Sequence, residues 1–553
     1  MFKYALVFAI LASTSQVATA QVDAGSQVRQ LPPLPERPAT LPEMQTEPVL
    51  RDPAATAAGP SVMVNTLRVS GQTLFPEAEL IAATGFVPGT ALNLADLNAL
   101  AAEITAFYNA NGHFLAQAYL PAQDVSSGTV TIAVVEARYA DVSIDNTSRL
   151  RTGVARSIIG DLASGDFVTA APLERRLLLL SDLPGVVIRS TLSPGATPGT
   201  SDLVVGIQPG RPVTGSVEAD NGGNRYTGTY RFGGTVNLEN PAGIGDRLSL
   251  RVLASTGDLA YGRIAYQVPV GVATVGVAYT RLNYGLGREF SNLDADGNAD
   301  IASLFASYPL IRSRHANLYA LANLEANWFT DRIGVLLTRS EKRTQTATFG
   351  LAGESQDRFG GGGWTTGAIG WTVGNLDLRS PVDLAADALA GQTDGRFNYI
   401  QYALSREQVI AGPLSLYGAV RGQVAFDNLG SSERMGLGGA YGVRAYPEGE
   451  AYGDEGYIAT AEARLSLAGM TGSLPGAFQL IGFVDYGRIK FAHDPWFPST
   501  NHAERSGYGG GINWFGPDNL SLRASYARRF GDQQVTSQPD DKGRFWFQVV
   551  KLF

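Results

Sequence analysis

The chain has no cysteine in 553 residues, which excludes a disulfide scaffold, a thiol nucleophile and a cysteine-ligated metal site. Histidine is almost as scarce: His113, His315, His493 and His502 stand far apart, the last two beside loop-like Pro495 and Pro498. No metal cluster is expected from them. Charged residues make up 17% of the chain, against about 25% in ordinary soluble domains. The net charge of -8 comes without a basic block, which argues against nucleic acid as a partner. Long apolar runs are also missing. Past residue 20 nothing approaches the roughly 20 residues that cross a bilayer as a helix, so a helical membrane protein is excluded. Neither a G-x-x-x-x-G-K-[ST] phosphate loop nor a G-x-S-x-G elbow occurs, and no catalytic residue, cofactor or metal is expected.

Glycine (65) and the aromatics (Tyr 22, Phe 24) are what the chain has in plenty. Only helices and closed barrels satisfy every backbone polar group in lipid, so a low-charge, Gly-rich chain without spanning helices points to a β-barrel. The N-terminus agrees with export. Lys3 precedes an apolar core from Tyr4 to Ala12, and Ala18-Thr19-Ala20 offers the small residues a signal peptidase reads. Residues 1–20 are therefore expected to leave as a signal peptide, and the outer membrane of a Gram-negative cell is the expected location.

Residues 21–60 are proline-rich (Leu31-Pro32-Pro33-Leu34-Pro35, Arg37-Pro38, Leu41-Pro42) and read as an extended tether without a ladder strand. Within it only Asp23 to Gln30 could form a short helix. Residues 61–137 read as a small α+β unit: a strand from Val62 to Val69, a helix from Pro76 to Ala83, a helix from Leu94 to Tyr108 with Leu97, Leu100, Ile104 and Phe107 on one face, and strands at Leu115–Leu120 and Thr129–Glu136. Residues 138–211 repeat that order, with a helix from Pro172 to Leu180.

From residue 212 to 553 the period becomes two. Tyr230, Phe232, Val236 and Leu238 alternate with Arg231, Thr235 and Asn237; Leu414, Leu416, Val420 and Val424 alternate with Ser415, Tyr417, Arg421 and Gln423. In an outer-membrane barrel the apolar parity faces lipid and the polar, Arg-bearing parity lines a wet lumen. Segments of about ten residues suit a tilted crossing and predict about 16 strands. The stretches Asn292–Asp300 and Gly353–Gly363 are polar and read as loops.

Several motifs resemble a known family, the transporter component of two-partner secretion (TpsB proteins, the haemolysin-activation and filamentous-haemagglutinin exporters). Tyr108-Asn109-Ala110-Asn111-Gly112-His113 and Pro121-Ala122-Gln123-Asp124 are similar to its first polypeptide-transport-associated (POTRA) signature. Leu173 to Val186 is similar to its second POTRA domain, and Asn240-Pro241-Ala242-Gly243-Ile244-Gly245-Asp246 to its early-barrel turn. Val443-Arg444-Ala445-Tyr446 resembles the V-R-G-Y/F loop, with Ala445 in place of Gly, and Phe483-Val484-Asp485-Tyr486-Gly487 matches the F-x-D-x-G strand. The terminal Phe553, with alternating aromatics upstream, resembles a barrel-assembly signal.

The resemblance implies a mainly β protein: a transmembrane antiparallel barrel preceded by two POTRA domains in the periplasm, exporting a dedicated large exoprotein. It also implies that the Arg444 loop folds into the barrel and pairs with Asp485, flanked by Val443, Tyr446, Phe483 and Gly487. Pro121, Gln123 and Asp124 would take part in recognising the cargo, or merely build a turn. The expected partners are the exoprotein, outer-membrane lipid and the barrel-assembly machinery. An alternative is an assembly factor that inserts other barrels.

Overall fold

A computed structural model describes residues 23–33, 43–46, 60–160, 162–467 and 475–553. The signal-peptide reading of residues 1–20 lies outside them, as does most of the proline-rich stretch.

Sixteen antiparallel strands, from Val213–Asp220 to Gly543–Leu552, close into one barrel. Ser216–Asp220 zip against Gln548–Leu552, and Phe553 exchanges both backbone hydrogen bonds with Gly215, at 3.0 and 3.1 Å. The two-residue period has the expected cause. Phe232, Val236, Leu250, Val252, Leu416 and Val424 are exposed on the outer wall, where lipid covers them. Arg231, Thr235, Arg251, Ser415 and Gln423, of the other parity, are buried inside.

Strand lengths depart from the reading of the sequence. Ala295–Arg312 and Thr338–Asp357 run for 18 and 20 residues, so parts of Asn292–Asp300 and Gly353–Gly363 are strand rather than loop. The register carries Asp296–Asp300 onto Trp328–Arg332 of the next strand. Strand that continues beyond the bilayer has no lipid face, so its sequence loses the apolar alternation by which strands were recognised.

The first α+β unit has Thr66–Ser70, Thr129–Val135 and Gln117–Tyr119 in one sheet, with Val62–Val64 and Thr90–Leu92 as a separate pair. The expected strand Val62–Val69 divides at Asn65, whose N–H turns to the carbonyl of Gly128 at 2.8 Å. Helix Leu94–Ala110 opens on a reciprocal cap, Asn93 with Asp96, both bonds 2.9 Å. Its Leu97, Ile104 and Tyr108 are buried against Val130 and Ile132. His113, at an aromatic position of the motif, sits edge-on to Phe75, Tyr108 and Phe167.

In the second unit, strands Val186–Pro194, Thr200–Pro209 and Arg138–Asn146 pack on helices Thr152–Ile159 and Ala170–Ser181. A fourth strand comes from the tether. Glu43–Thr46 pairs in parallel with Arg189–Leu192 at the sheet edge, contrary to the expectation of a strandless linker. These four residues contain no proline, so every N–H is available to a ladder.

This second unit is seated on one end of the barrel. Asp182 receives Arg312 Nε and Nη2 at 2.8 and 2.7 Å, Arg175 donates to the carbonyls of Pro309 and Leu310, and the Arg151 N–H donates to Gly243 at 2.7 Å. Gly243 belongs to the N-P-A-G-I-G-D turn. There Asn240, Gly243 and Gly245 take positive φ, and buried Asp246 accepts from the Ala242 N–H and the Tyr266 hydroxyl. In the outer-membrane location expected from the sequence, that end faces the periplasm and the opposite end the outside.

Candidate functional site

The barrel lumen holds two inserts. One is the long connection between strands Leu414–Ala425 and Glu455–Ser466, which folds back from the extracellular end. The V-R-A-Y segment is at its core: Val443, Ala445 and Tyr446 are fully buried. Arg444 Nε and Nη2 meet Asp485 Oδ2 and Oδ1, both at 2.8 Å, and its N–H donates to Oδ2 at 3.2 Å. Nη1 reaches Glu462 at 2.8 Å. The guanidinium carbon lies 3.4 Å from the centre of the Phe483 ring, a stacked pose that adds to the bidentate selectivity.

The wall is shaped to receive this loop. A Cβ on Gly487 would come within 2.6 Å of Leu437 and 3.0 Å of Val443, and one on Gly507 within 2.4 Å of the Ala445 Cβ. Ala445 is absent from the positive-φ residues, so this site does not require glycine, and its methyl group fills the space that Gly507 leaves. Val443, Arg444 and Tyr446 of one motif and Phe483, Asp485 and Gly487 of another, with Arg444 and Asp485 41 residues apart, thus form one site. Glu462, which continues the resemblance of the loop motif, joins the site through Arg444. Missed by sequence reasoning were two supports: Thr460, whose hydroxyl donates to Asp485 at 2.9 Å, and Trp546, whose indole N–H donates to the Arg444 carbonyl at 2.7 Å. Thr460 is the register partner of Asp485, a neighbour that strand pairing alone could have supplied.

The second insert is helix Ala24–Arg29. Asp23 caps it and receives Lys342 Nζ at 2.6 Å, and the Ala24 N–H donates to Asp331 at 2.9 Å. At the other end Arg231 Nη1 donates to the Gln30 carbonyl at 2.8 Å, a cation placed where the helix dipole favours one. Arg29 joins helix to loop, through the Ser432 carbonyl at 2.6 Å and Glu433 at 3.1 Å. A Cβ on Gly25 would stand 2.8 Å from the Ser432 Cβ, so helix and loop pack backbone to backbone.

Pro121, Gln123 and Asp124 lie outside the barrel and touch neither insert. Gln123 clamps Thr131 through its backbone N–H and carbonyl, at 2.8 and 2.7 Å. The Ser126 backbone and hydroxyl hold the Asp124 carboxyl below the usual range. Nearby, burial pushes the Glu136 carboxyl up, but bonds from the Thr73 hydroxyl and N–H, the Leu74 N–H and Tyr108 outweigh it and hold the group below the ordinary value.

A sixteen-stranded barrel with α+β modules on its periplasmic mouth and a lumen closed by two ion-paired inserts is an outer-membrane polypeptide transporter. Residues 199–513 match the family described as haemolysin secretion/activation protein ShlB/FhaC/HecB, and residues 62–137 match the ShlB-type POTRA domain. The chain belongs to this family, the outer-membrane transporters of two-partner secretion. Among its relatives, the heme/hemopexin transporter protein HuxB of Haemophilus influenzae is 28% identical over 84% of this chain and 82% of its own. The outer membrane transporter CdiB of Dickeya dadantii is 24% identical over 72% and 71%. In three dimensions, CdiB from Escherichia coli is similar with a TM-score of 0.68 at 21% identity, covering 91% of this chain and 93% of that one. BamA from Haemophilus ducreyi lacking POTRA domains 1-3 reaches 0.55 at 14% identity, covering 89% and 100%; both are likenesses of fold.

Proposed function

We propose that the chain exports one dedicated, large exoprotein in extended form, and that helix Ala24–Arg29 and the Arg444 loop are the resting closure of its path. The observation that carries this is the nature of the closure. Both inserts are pinned by ion pairs and hydrogen bonds that can be exchanged for water or for a passing chain, beside the apolar contacts of Leu437, Val443 and Tyr446 with Ile458 and Phe483. On this reading residues 1–20 are removed, 21–60 supply plug and tether, 61–137 and 138–211 are the periplasmic POTRA modules, and 212–553 form the pore. The modules take up the cargo by pairing with sheet edges. Pro121, Gln123 and Asp124 serve recognition by rigidifying the turn before strand Thr129–Val135. Phe553 at the seam is what the barrel-assembly machinery reads, and outer-membrane lipid covers the outer wall. Nucleic acid, metal and cofactor have no part in this reading. One relative is named for heme/hemopexin transport and another simply as an outer membrane transporter, so the cargo is specified by class only.

Deleting residues 62–137 tests the scheme. Barrel insertion should persist, seen as heat-modifiable mobility on gels, while secretion of the cognate exoprotein should stop; undiminished secretion would overturn the capture role. The alternative, an assembly factor for other barrels, has only the fold likeness to BamA behind it, which is not specific to that activity.

A further inference from the structure

Charge is unevenly distributed along the lumen, and arginine is concentrated in two of its cavities. At the periplasmic mouth a cavity of about 820 Å³ is lined by Arg211, Arg247, Arg251 and Arg263 against Asp182 and Glu239. Deeper in, beneath the Arg444 loop, a cavity of about 780 Å³ is lined by Arg421, Arg444, Arg464 and Arg523 against Glu354 and Glu462. Every one of these acids except Glu354 is already engaged: Asp182 by Arg312, Glu239 by Arg247, and Glu462 by both Arg444 and Arg464. Glu354 accepts from Asn317. Arg251 is paired with Glu218.

Four guanidinium groups remain: Arg211, Arg263, Arg421 and Arg523 take part in no ion pair among the described residues. Arg263 stands directly opposite Arg251 across neighbouring strands, a like-charge juxtaposition that costs energy unless an anion intervenes. Among the described residues Arg421 donates to the Tyr441 carbonyl, at 3.0 Å; it is attracted by Glu448 of the loop, which makes no ion pair with it and does not line the cavity. The two cavities lie on different arcs of the barrel, the lower on the strands from Val213–Asp220 to Asp258–Val270 and the upper on those from Ala316–Ile333 to Glu455–Ser466, with a smaller chamber between them. Ser216 lines the lower one, and Asp220, on the same face of the same strand, lines that smaller chamber, of about 240 Å³, which shares Arg523 with the upper one.

We propose that the lumen is a binding path for anionic polypeptide, with the arginines that make no ion pair, set at successive points around it, receiving Asp and Glu side chains of the chain in transit. The inference rests on the export reading and names the chemistry of its substrate: an extended, acidic segment, held by several weak exchangeable contacts rather than one strong one. Arginine suits this role because its planar fork binds carboxylates in pairs and stays charged at any physiological pH. Weak contacts also permit release, which a transit path needs.

The test uses the full chain in detergent with fluorescent hexaglutamate and hexalysine, each spanning about 20 Å when extended, read by anisotropy. Hexaglutamate should bind, weaken with added salt, and lose about threefold to fivefold in affinity for each of Arg421→Glu and Arg523→Glu, the scale of an exposed ion pair. Hexalysine should not bind. Equal or stronger binding of hexalysine, no binding of hexaglutamate, or hexaglutamate binding unchanged in both variants would overturn the proposal. Secretion of the cognate exoprotein by the unaltered chain is measured alongside. If secretion occurs without hexaglutamate binding, the binding path fails and the export reading stands; if secretion is absent, the export reading itself fails.

Discussion

Asp485 offers the sharpest perturbation of the closed state. Its side chain is fully buried and accepts three bonds from Arg444 and one from Thr460. Asp485→Ala leaves Arg444 with Glu462 alone, and stranding one partner of a buried pair costs about 3–5 kcal/mol. At about 1.4 kcal/mol per power of ten, the balance between seated and released loop should shift by two to three and a half powers of ten. The barrel itself, held by sixteen paired strands, should still assemble. Because the chain has no cysteine, Val443→Cys introduces a single thiol at a position that is fully buried while the loop is seated. Its rate of reaction with a maleimide on intact cells then reports release. We expect labelling at least a hundredfold faster with Asp485→Ala than without it, and an intermediate rate for Asp485→Asn, whose amide oxygen can still accept. Export should fall in both. Equal labelling rates with and without Asp485 would refute the reasoning.

The remaining predictions concern the other insert, the wall and the first module. Arg29→Ala removes the bonds to Ser432 and Glu433, so the helix should leave more often and planar-bilayer recordings should show more frequent openings; unchanged gating would exclude a holding role for Arg29. Gly507→Ala places a methyl group 2.4 Å from that of Ala445, overpacking worth about 1–3 kcal/mol, and should raise Val443→Cys labelling; adding Ala445→Gly should reverse it, and failure of that rescue would show that the clash lies elsewhere. Glu136→Ala should cost the first module about 1–3 kcal/mol by leaving the Thr73, Leu74 and Tyr108 donors without their acceptor, seen as faster proteolysis of the full chain. The folded-state carboxyl is depressed, so its contribution is complete above the unfolded value of about 4.3 and is lost as pH falls through the lower folded value. Proteolytic sensitivity that does not rise on acidification below that point would contradict the assignment.

How much was legible in the sequence depended on whether the cause was local. The barrel was legible because lipid imposes apolar side chains on alternate residues, and the period breaks down at Asp296–Asp300, where strand leaves the bilayer. Arg444, Asp485 and Glu462 were legible through the motifs around them, whereas Thr460 and Trp546 acquire their roles only from strand register and closure. Nothing local marks the helix seat, since Asp331, Lys342 and Glu433 lie hundreds of residues from Asp23 and Arg29. Likewise Glu43–Thr46 is a strand only because the Val186–Pro194 edge is there to receive it.

That edge strand has a kinetic consequence. Residues 33 and 43 are ten residues apart, at most about 35 Å of extended chain. While Glu43–Thr46 stays on the sheet, a displaced helix therefore remains near the mouth it came from. Its return is intramolecular, at an effective concentration in the millimolar range for a short tether. A plug held this way need not bind tightly to reclose the pore quickly, and weak seating is what an arriving cargo chain needs in order to push it aside.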